Sequence, residues 1–294
     1  MIIKNDLSEE PEVIFMGRNV ISAKLDIIFK KIFTENDDML HEFVAAMLGI
    51  PSESIEYIQI TNPEMPPDIY SGKFARLDLN MKVDNRLVNV EIQVKNDPDY
   101  RDRTLFYWAK LYTSELKSGD DYGELKQSIT INIINFNMFD GNDYHTEIVT
   151  SNKATGEIFS DKFAIHFFEL KKISRTPNPG NPKELWLQYI NADTEEELNM
   201  LEQTNLPIMK KAVRVVRDMS DDTRIREAAR IREKALHDEA SALKNARMEG
   251  MEEGMAQGMA QGMARGRADE RNNIINKLRL AGFSDEQING ILGS

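Results

Sequence analysis

The chain has 294 residues, enough for one large buried core and a further element beside it. It contains no cysteine, which excludes disulfides and thiolate metal sites, and its net charge of -12 weighs against broad phosphate binding, which relies on Lys and Arg. No apolar run reaches the length of a membrane span, and the opening "MIIKNDLSEEPEVIF" carries an acidic flank where a signal peptide has a basic one. A cytoplasmic protein with no membrane association is expected.

"SAKLDIIFKKIFTENDDMLHEFVAAMLGI" reads as two helices. Leu25, Ile28, Phe29, Ile32 and Phe33 recur at helical spacing, with Ser22 placed to cap. Asn36 or Asp37 caps the second stripe, Leu40, Phe43, Val44, Met47 and Leu48, and Gly49 stops it. "SIEYIQI" is a short strand, and "PEMPPD" is a loop whose prolines continue neither element. "RLDLNMKVDNRLVNVEIQVK" is a strand, a turn and a strand. "NDPDYRDRTLFYWAKLYTSELKSG" reads as a helix started by Asp97 and Pro98 and closed by Gly119. "SITINIINF" and "FAIHFFEL" are further strands, the first reached by a helix of parallel-crossover length.

From about Lys183 the pattern is helical, through "ELWLQYI", "LPIMKKAVRVVRDM" and a long stretch of mixed charge. The expected division is a domain over residues 1–205 and a helical C-terminal region over 206–294. Within the latter, residues 248–267 repeat Gly every fourth position, flanked by a methionine stripe. Each Gly costs a helix about 1 kcal/mol relative to Ala. A solvated tail and self-association through these stripes both fit. "SDEQINGILG" opens with a capping box, Ser284 to Gln287.

The hairpin at residues 76–95 carries the chemistry. With Asp84-Asn85 as a two-residue loop, Met81 meets Val88, Leu79 meets Val90 and Leu77 meets Ile92 on one apolar face. On the other face Lys82 meets Leu87, Asn80 meets Asn89, Asp78 meets Glu91 and Arg76 meets Gln93. A slip by one residue sets apolar against polar throughout, so this register is well specified. Asp78 and Glu91 then oppose each other about 5 Å apart at Cβ. Three arrangements reconcile the like charges: a base such as Lys82 or Lys95 on the same face, protonation of one acid, or a divalent cation held between them.

Asp78 followed by Glu91-Ile92-Gln93 resembles the PD-(D/E)xK nuclease pattern with Gln in place of Lys. Together with "KLDIIFKKIF" before it and "YRDRTLFYWAKLYTSELKSGDDYGELKQSITINIINF" after it, the chain resembles the recombination-promoting nuclease/putative transposase (Rpn) family over about residues 20 to 220. That resemblance implies an α/β, restriction-endonuclease-like mixed sheet flanked by helices, followed here by the long helical tail. It also implies Mg²⁺-dependent cleavage of DNA, with Mn²⁺ an alternative ion. Asp78 and Glu91 would hold the metal, with the Ile92 carbonyl and Asp26 as further candidates. Gln93 occupies the usual lysine position, and Lys95 or Lys82 is the nearest source of charge.

The alternative is a catalytically weak or silent nuclease-fold protein that binds DNA or protein and assembles through its C-terminal region. A strand-joining transposase would share the metal chemistry. Arg101, Arg103 and Lys110 either meet phosphates or form a solvated helix face. Tyr100, Phe106, Tyr107, Trp108 and Tyr112 read as packing residues before base-stacking platforms. His41, His145, His166 and His237 show no ligand spacing.

Overall fold

The computed structural model describes residues 20–61, 79–114 and 116–292. Its centre is a six-stranded sheet in the order β1-β2-β3-β4-β6-β5. The strands are β1 (Ile58–Ile60), β2 (Leu79–Val83), β3 (Arg86–Gln93), β4 (Gln127–Ile134), β5 (His145–Ser151) and β6 (Ile158–Glu169). The β2–β3 pairing has the expected register, from Val83 opposite Arg86 to Leu79 opposite Val90. Asp84 takes the left-handed conformation at φ +49° in the turn, and its Oδ1 accepts from the backbone N–H groups of Glu56 and Tyr57, each at 3.0 Å. The turn residue thereby fixes the entry to β1. β3 runs parallel to β4, and β4 parallel to β6. The result is a mixed sheet flanked by helices, the restriction-endonuclease-like architecture.

Register divides the sheet into two unlike faces. One carries Met81, Val88, Ile129 and Ala164 in one row, and Leu79, Val90, Ile131 and His166 in the next. This face packs into the main core with α1 (Asp26–Thr34), α2 (Asp37–Leu48), α4 (Pro182–Asn191), α5 (Glu195–Glu202) and α6 (Pro207–Asp221). Phe29, Phe33, Phe43 and Trp186 form its aromatic centre, with ring centroids 4.4–5.9 Å apart. The other face carries buried Asn89, Glu91, Ser128, Thr130 and Asn132. It lies under α3 (Tyr100–Tyr112), which donates from Trp108 Nε1 to the Ser128 carbonyl at 2.8 Å.

Several local details depart from the expected caps. Leu25, not Ser22, is the N-cap residue of α1. The backbone turns between Ser22 and Leu25, and the Ser22 hydroxyl donates to Asp193 instead, at 3.1 Å. Asn36 sits at the N-cap position of α2, but its amide donates back to the Ile32 carbonyl and serves α1. Gly49 ends α2 in the left-handed region, as expected. α3 ends at Tyr112, well before Gly119, because Thr113 and Ser114 turn their hydroxyls onto the carbonyls of Ala109 and Leu111.

By contacts the chain forms two units, Met1–His237 and Asp238–Ser294. α6 lies past residue 205 yet belongs to the first unit's core through Met209, Ala212, Val213 and Val216. α7 (Thr223–Leu280) begins in the first unit, where Ala228 and Ala229 are buried. In the second unit, Met251, Met255, Met259 and Met263 are all more than half exposed. α8 (Asp285–Leu292) starts with the expected reciprocal bonds between Ser284 and Gln287. Among the described residues no helix is long and apolar enough to cross a membrane.

Two stability predictions follow from buried polar groups in the first unit. The Tyr189 hydroxyl is buried without a hydrogen-bond partner, and burial pushes its pKa well above the usual phenol value. Tyr189→Phe removes that desolvated hydroxyl while keeping the ring, and should raise the unfolding free energy by about 0.5–1 kcal/mol in urea denaturation.

His145 Nε2 and His166 Nδ1 lie 3.0 Å apart across β5 and β6. Burial, then the nearby Lys183, holds both down to about 4, while Glu147 pulls His145 the other way. Both stay neutral in the folded chain below the pH at which they charge when unfolded. Their contribution is therefore present above pH 6.5 and is lost as pH falls toward 4. With His145 half-buried, the loss should be about 2 kcal/mol. The difference in pH-dependent unfolding between the parent and His145→Gln/His166→Gln measures it.

Candidate active site

The C-terminal end of β3 places Glu91 and Gln93 on the polar face, in register with Asn132 and Ile134 of β4. Glu91 is 3 % exposed. Tyr100, at the start of α3, is buried over this row and donates its hydroxyl to Asn132 Oδ1 at 3.0 Å. One turn along, Arg103 places Nη2 3.6 Å from Glu91 Oε1 and lies 4.9 Å above the Tyr100 ring. Its Nη1 donates to Asp97 Oδ2 at 3.0 Å. The same Asp97 oxygen accepts from Gln93 Nε2 at 3.2 Å, and Gln93 also donates to the Lys95 carbonyl at 3.0 Å. Lys95 Nζ is 3.6 Å from Asp97 Oδ1. Asp97 thus gathers Gln93, Lys95 and Arg103 around one carboxylate beside Glu91.

Backbone direction adds a second oxygen. The Gln93 carbonyl accepts from the Asn135 N–H at 2.9 Å, so the peptide groups of residues 91 and 93 face β4. Successive residues of a strand point their peptide groups to opposite sides, and the Ile92 carbonyl therefore faces the β2 side. On β2 the Asn80 carbonyl accepts from the Thr61 N–H at 2.7 Å and so faces β1. Asn80 and Asn89 are consequently a close, non-hydrogen-bonded backbone pair, and their side chains meet at 2.8 Å, Nδ2 to Oδ1.

Asp78 lies outside the described residues, as do Arg76 and Leu77. Asp26 opens α1, but its carboxylate is gripped at both oxygens by the Arg232 guanidinium of α7. Lys82 lies on β2 opposite Leu87. Arg101 donates to the Met138 carbonyl at 3.0 Å, and Lys110 is exposed. Of the aromatic residues on α3, Tyr100 is buried and Trp108 stacks on Tyr112. Phe106 is 62 % exposed and so is no core residue.

Among the described residues no three His, Asp or Glu side chains converge as a metal cage. What this face does offer is oxygen: a buried carboxylate at Glu91, the Ile92 carbonyl, and the Asn89 Oδ1 and Thr130 Oγ1 atoms, which are buried without hydrogen-bond partners. Such donors suit a hard divalent cation and its waters, so the described residues fit the ion that the motif implies. By sequence alone Asp97 reads only as a helix starter, and Arg103 as either a phosphate contact or part of a solvated face. A signal for Arg103 is present: Tyr100, Arg103, Thr104, Tyr107 and Trp108 recur at three and four residues, the inward stripe of α3.

A family model described as PD-(D/E)XK nuclease family transposase matches residues 23–246. No curated protein and no solved structure matches the chain. The matched span is well over half of the sequence and takes in the whole sheet, its flanking helices and Glu91-Ile92-Gln93. This chain belongs to the PD-(D/E)XK nuclease family of transposases.

Proposed function

We propose that the chain is a metal-dependent DNA endonuclease that hydrolyses phosphodiester bonds and thereby promotes recombination. The observation that carries this reading is the β2–β3 register. Continued one step beyond Leu79–Val90, that register would set position 78 across from Glu91, in a close pair of the same kind as Asn80–Asn89. Asp78, Glu91 and the Ile92 carbonyl would then hold Mg²⁺ or Mn²⁺ from one side. When bound, such an ion polarises a phosphate oxygen and lowers the pKa of a water at the site.

The chain's own residues do the rest. Asp78 and Glu91 supply fixed negative charge, and burial of Glu91 under α3 keeps its orientation. Gln93 aligns the loop after β3 through Asp97, and Lys95 adds a cation at the rim. Asp26 serves the α1–α7 contact through Arg232, and would act at the site through water only on release from it. Purified protein should nick plasmid DNA with Mg²⁺ or Mn²⁺ and stop when EDTA is added. Asp78→Ala and Glu91→Gln should each lower the rate by about 100-fold or more with unchanged thermal unfolding. Undiminished cleavage by Asp78→Ala would sink this reading.

A second reading, assembly of a weakly active chain through its C-terminal region, draws on the row of exposed methionines and on the open glycine face beside it. Such a stripe is a candidate for contact between copies. Deleting residues 248–267 should reduce the sedimentation mass to that of a monomer while leaving the circular dichroism of the first unit intact. An unchanged oligomer would remove that role.

A further inference from the structure

We infer that Arg103 supplies the positive charge that the motif lacks at position 93, and that Gln93 and Asp97 are the residues that position it. The inference rests on the nuclease reading above and concerns which side chain completes the site. A lysine at position 93 would bring an ammonium to the end of β3, next to Glu91. Gln93 brings no charge.

Arg103 reaches the same place from α3. Its guanidinium is held on three sides: Nη1 by Asp97 at 3.0 Å, the plane by the Tyr100 ring at 4.9 Å, and Nη2 by proximity to Glu91 at 3.6 Å. At that last distance the charge acts on the carboxylate without a hydrogen bond capturing it. Arg103 Nε and Nη2 are both buried with no hydrogen-bond partner. Two buried guanidinium donors left unmet are costly, and a group that carries negative charge into the site would satisfy them.

Gln93 fits the role of holder rather than substitute. Its Nε2 donates to the Asp97 oxygen that also accepts from Arg103, so amide and guanidinium are fixed through one carboxylate. Arginine suits this arrangement better than lysine would. Its planar fork keeps one edge on Asp97 while another faces Glu91, and its flat face stacks on the tyrosine. A lysine at position 93 would crowd Arg103 and Lys95 around the single Asp97 carboxylate.

The test compares parent, Arg103→Met, Arg103→Lys and Gln93→Lys as full-length chains. It uses three readouts: plasmid cleavage, Mn²⁺ affinity by calorimetry without DNA, and thermal unfolding. Removing a cation beside Glu91 should leave Mn²⁺ binding unchanged or tighten it, while cleavage falls about 100-fold. Arg103→Lys should recover part of that loss, and Gln93→Lys should fail to exceed the parent.

If Arg103 merely holds Glu91 in place, Arg103→Met loses Mn²⁺ binding together with cleavage, and the inference is overturned. Cleavage by Arg103→Met equal to the parent's overturns it as well, and leaves the nuclease reading standing. Should Arg103→Met fail to fold, Arg103→Lys and Asp97→Asn carry the test. Each should then keep Mn²⁺ affinity and cut more slowly than the parent, Arg103→Lys less severely than Asp97→Asn, and parental cleavage in both overturns the inference. A parent chain that neither binds Mn²⁺ nor cuts DNA overturns the nuclease reading itself, and the inference with it.

Discussion

Pairing of β2 with β3 across a two-residue turn is the constraint on which the rest of the molecule depends. It sends Leu79, Met81, Val83, Val88 and Val90 into the main core, where each is 1 % exposed or less. The same alternation sends Asn89 and Glu91 to the opposite face. A shift by one residue would bury Asn80 and Lys82 among the aromatic residues of α1 and α2 and turn the valines toward α3. The apolar face therefore holds the polar one in place. The hydrophobic core specifies where a carboxylate must stand, although none of its own residues carries chemistry.

The face under α3 carries a stability cost. Asn89, Ser128 and Thr130 each keep a buried polar atom without a hydrogen-bond partner, as does Arg103. Buried groups of this kind are uncommon in native proteins and call for a reason. Two neighbouring positions on this face show how such a group is ordinarily satisfied. Asn132 donates to the His166 carbonyl and accepts from Tyr100. Glu169 accepts from the Met138 and Phe139 N–H groups and from Lys172. Of the unsatisfied residues, Asn89 and Thr130 pair across β3 and β4 two residues before Glu91 and Asn132, on the same face as the carboxylate.

Much of this was legible in the sequence because it depends on periodicity. The helical stripes of α1 and α2, the hairpin register and the parallel step from β3 to β4 all follow from spacing. β5 was not legible. It is an edge strand paired on one side only, largely exposed and irregular near Thr150, so no buried face imprints an alternation on "HTEIVTS". α5 falls in the stretch read as helical but carries no apolar stripe of its own, since its eight residues bury only Leu198 and Leu201. Contacts between residues far apart in the chain left no local trace either. Asp26 with Arg232, His145 with His166 and Glu91 with Arg103 are joined by tertiary packing alone.

Net charge illustrates the same limit. An excess of acid over the whole chain argues against phosphate binding only if charge is spread evenly, and here it is not. Screening confines exposed charges to about 8 Å at physiological ionic strength, whereas buried ones are screened far less. The charges that act at the end of β3 are therefore those packed there: Glu91, Asp97, Lys95 and Arg103. Two acids and two bases sum to zero among these four. Adding Asp78 through the extended register would make the site anionic by one, which is the imbalance a divalent cation reverses. On the proposed reading, a carboxylate pair that repels in isolation would become, with arginine on one side and a metal ion on the other, a place where a phosphate could approach an acidic protein.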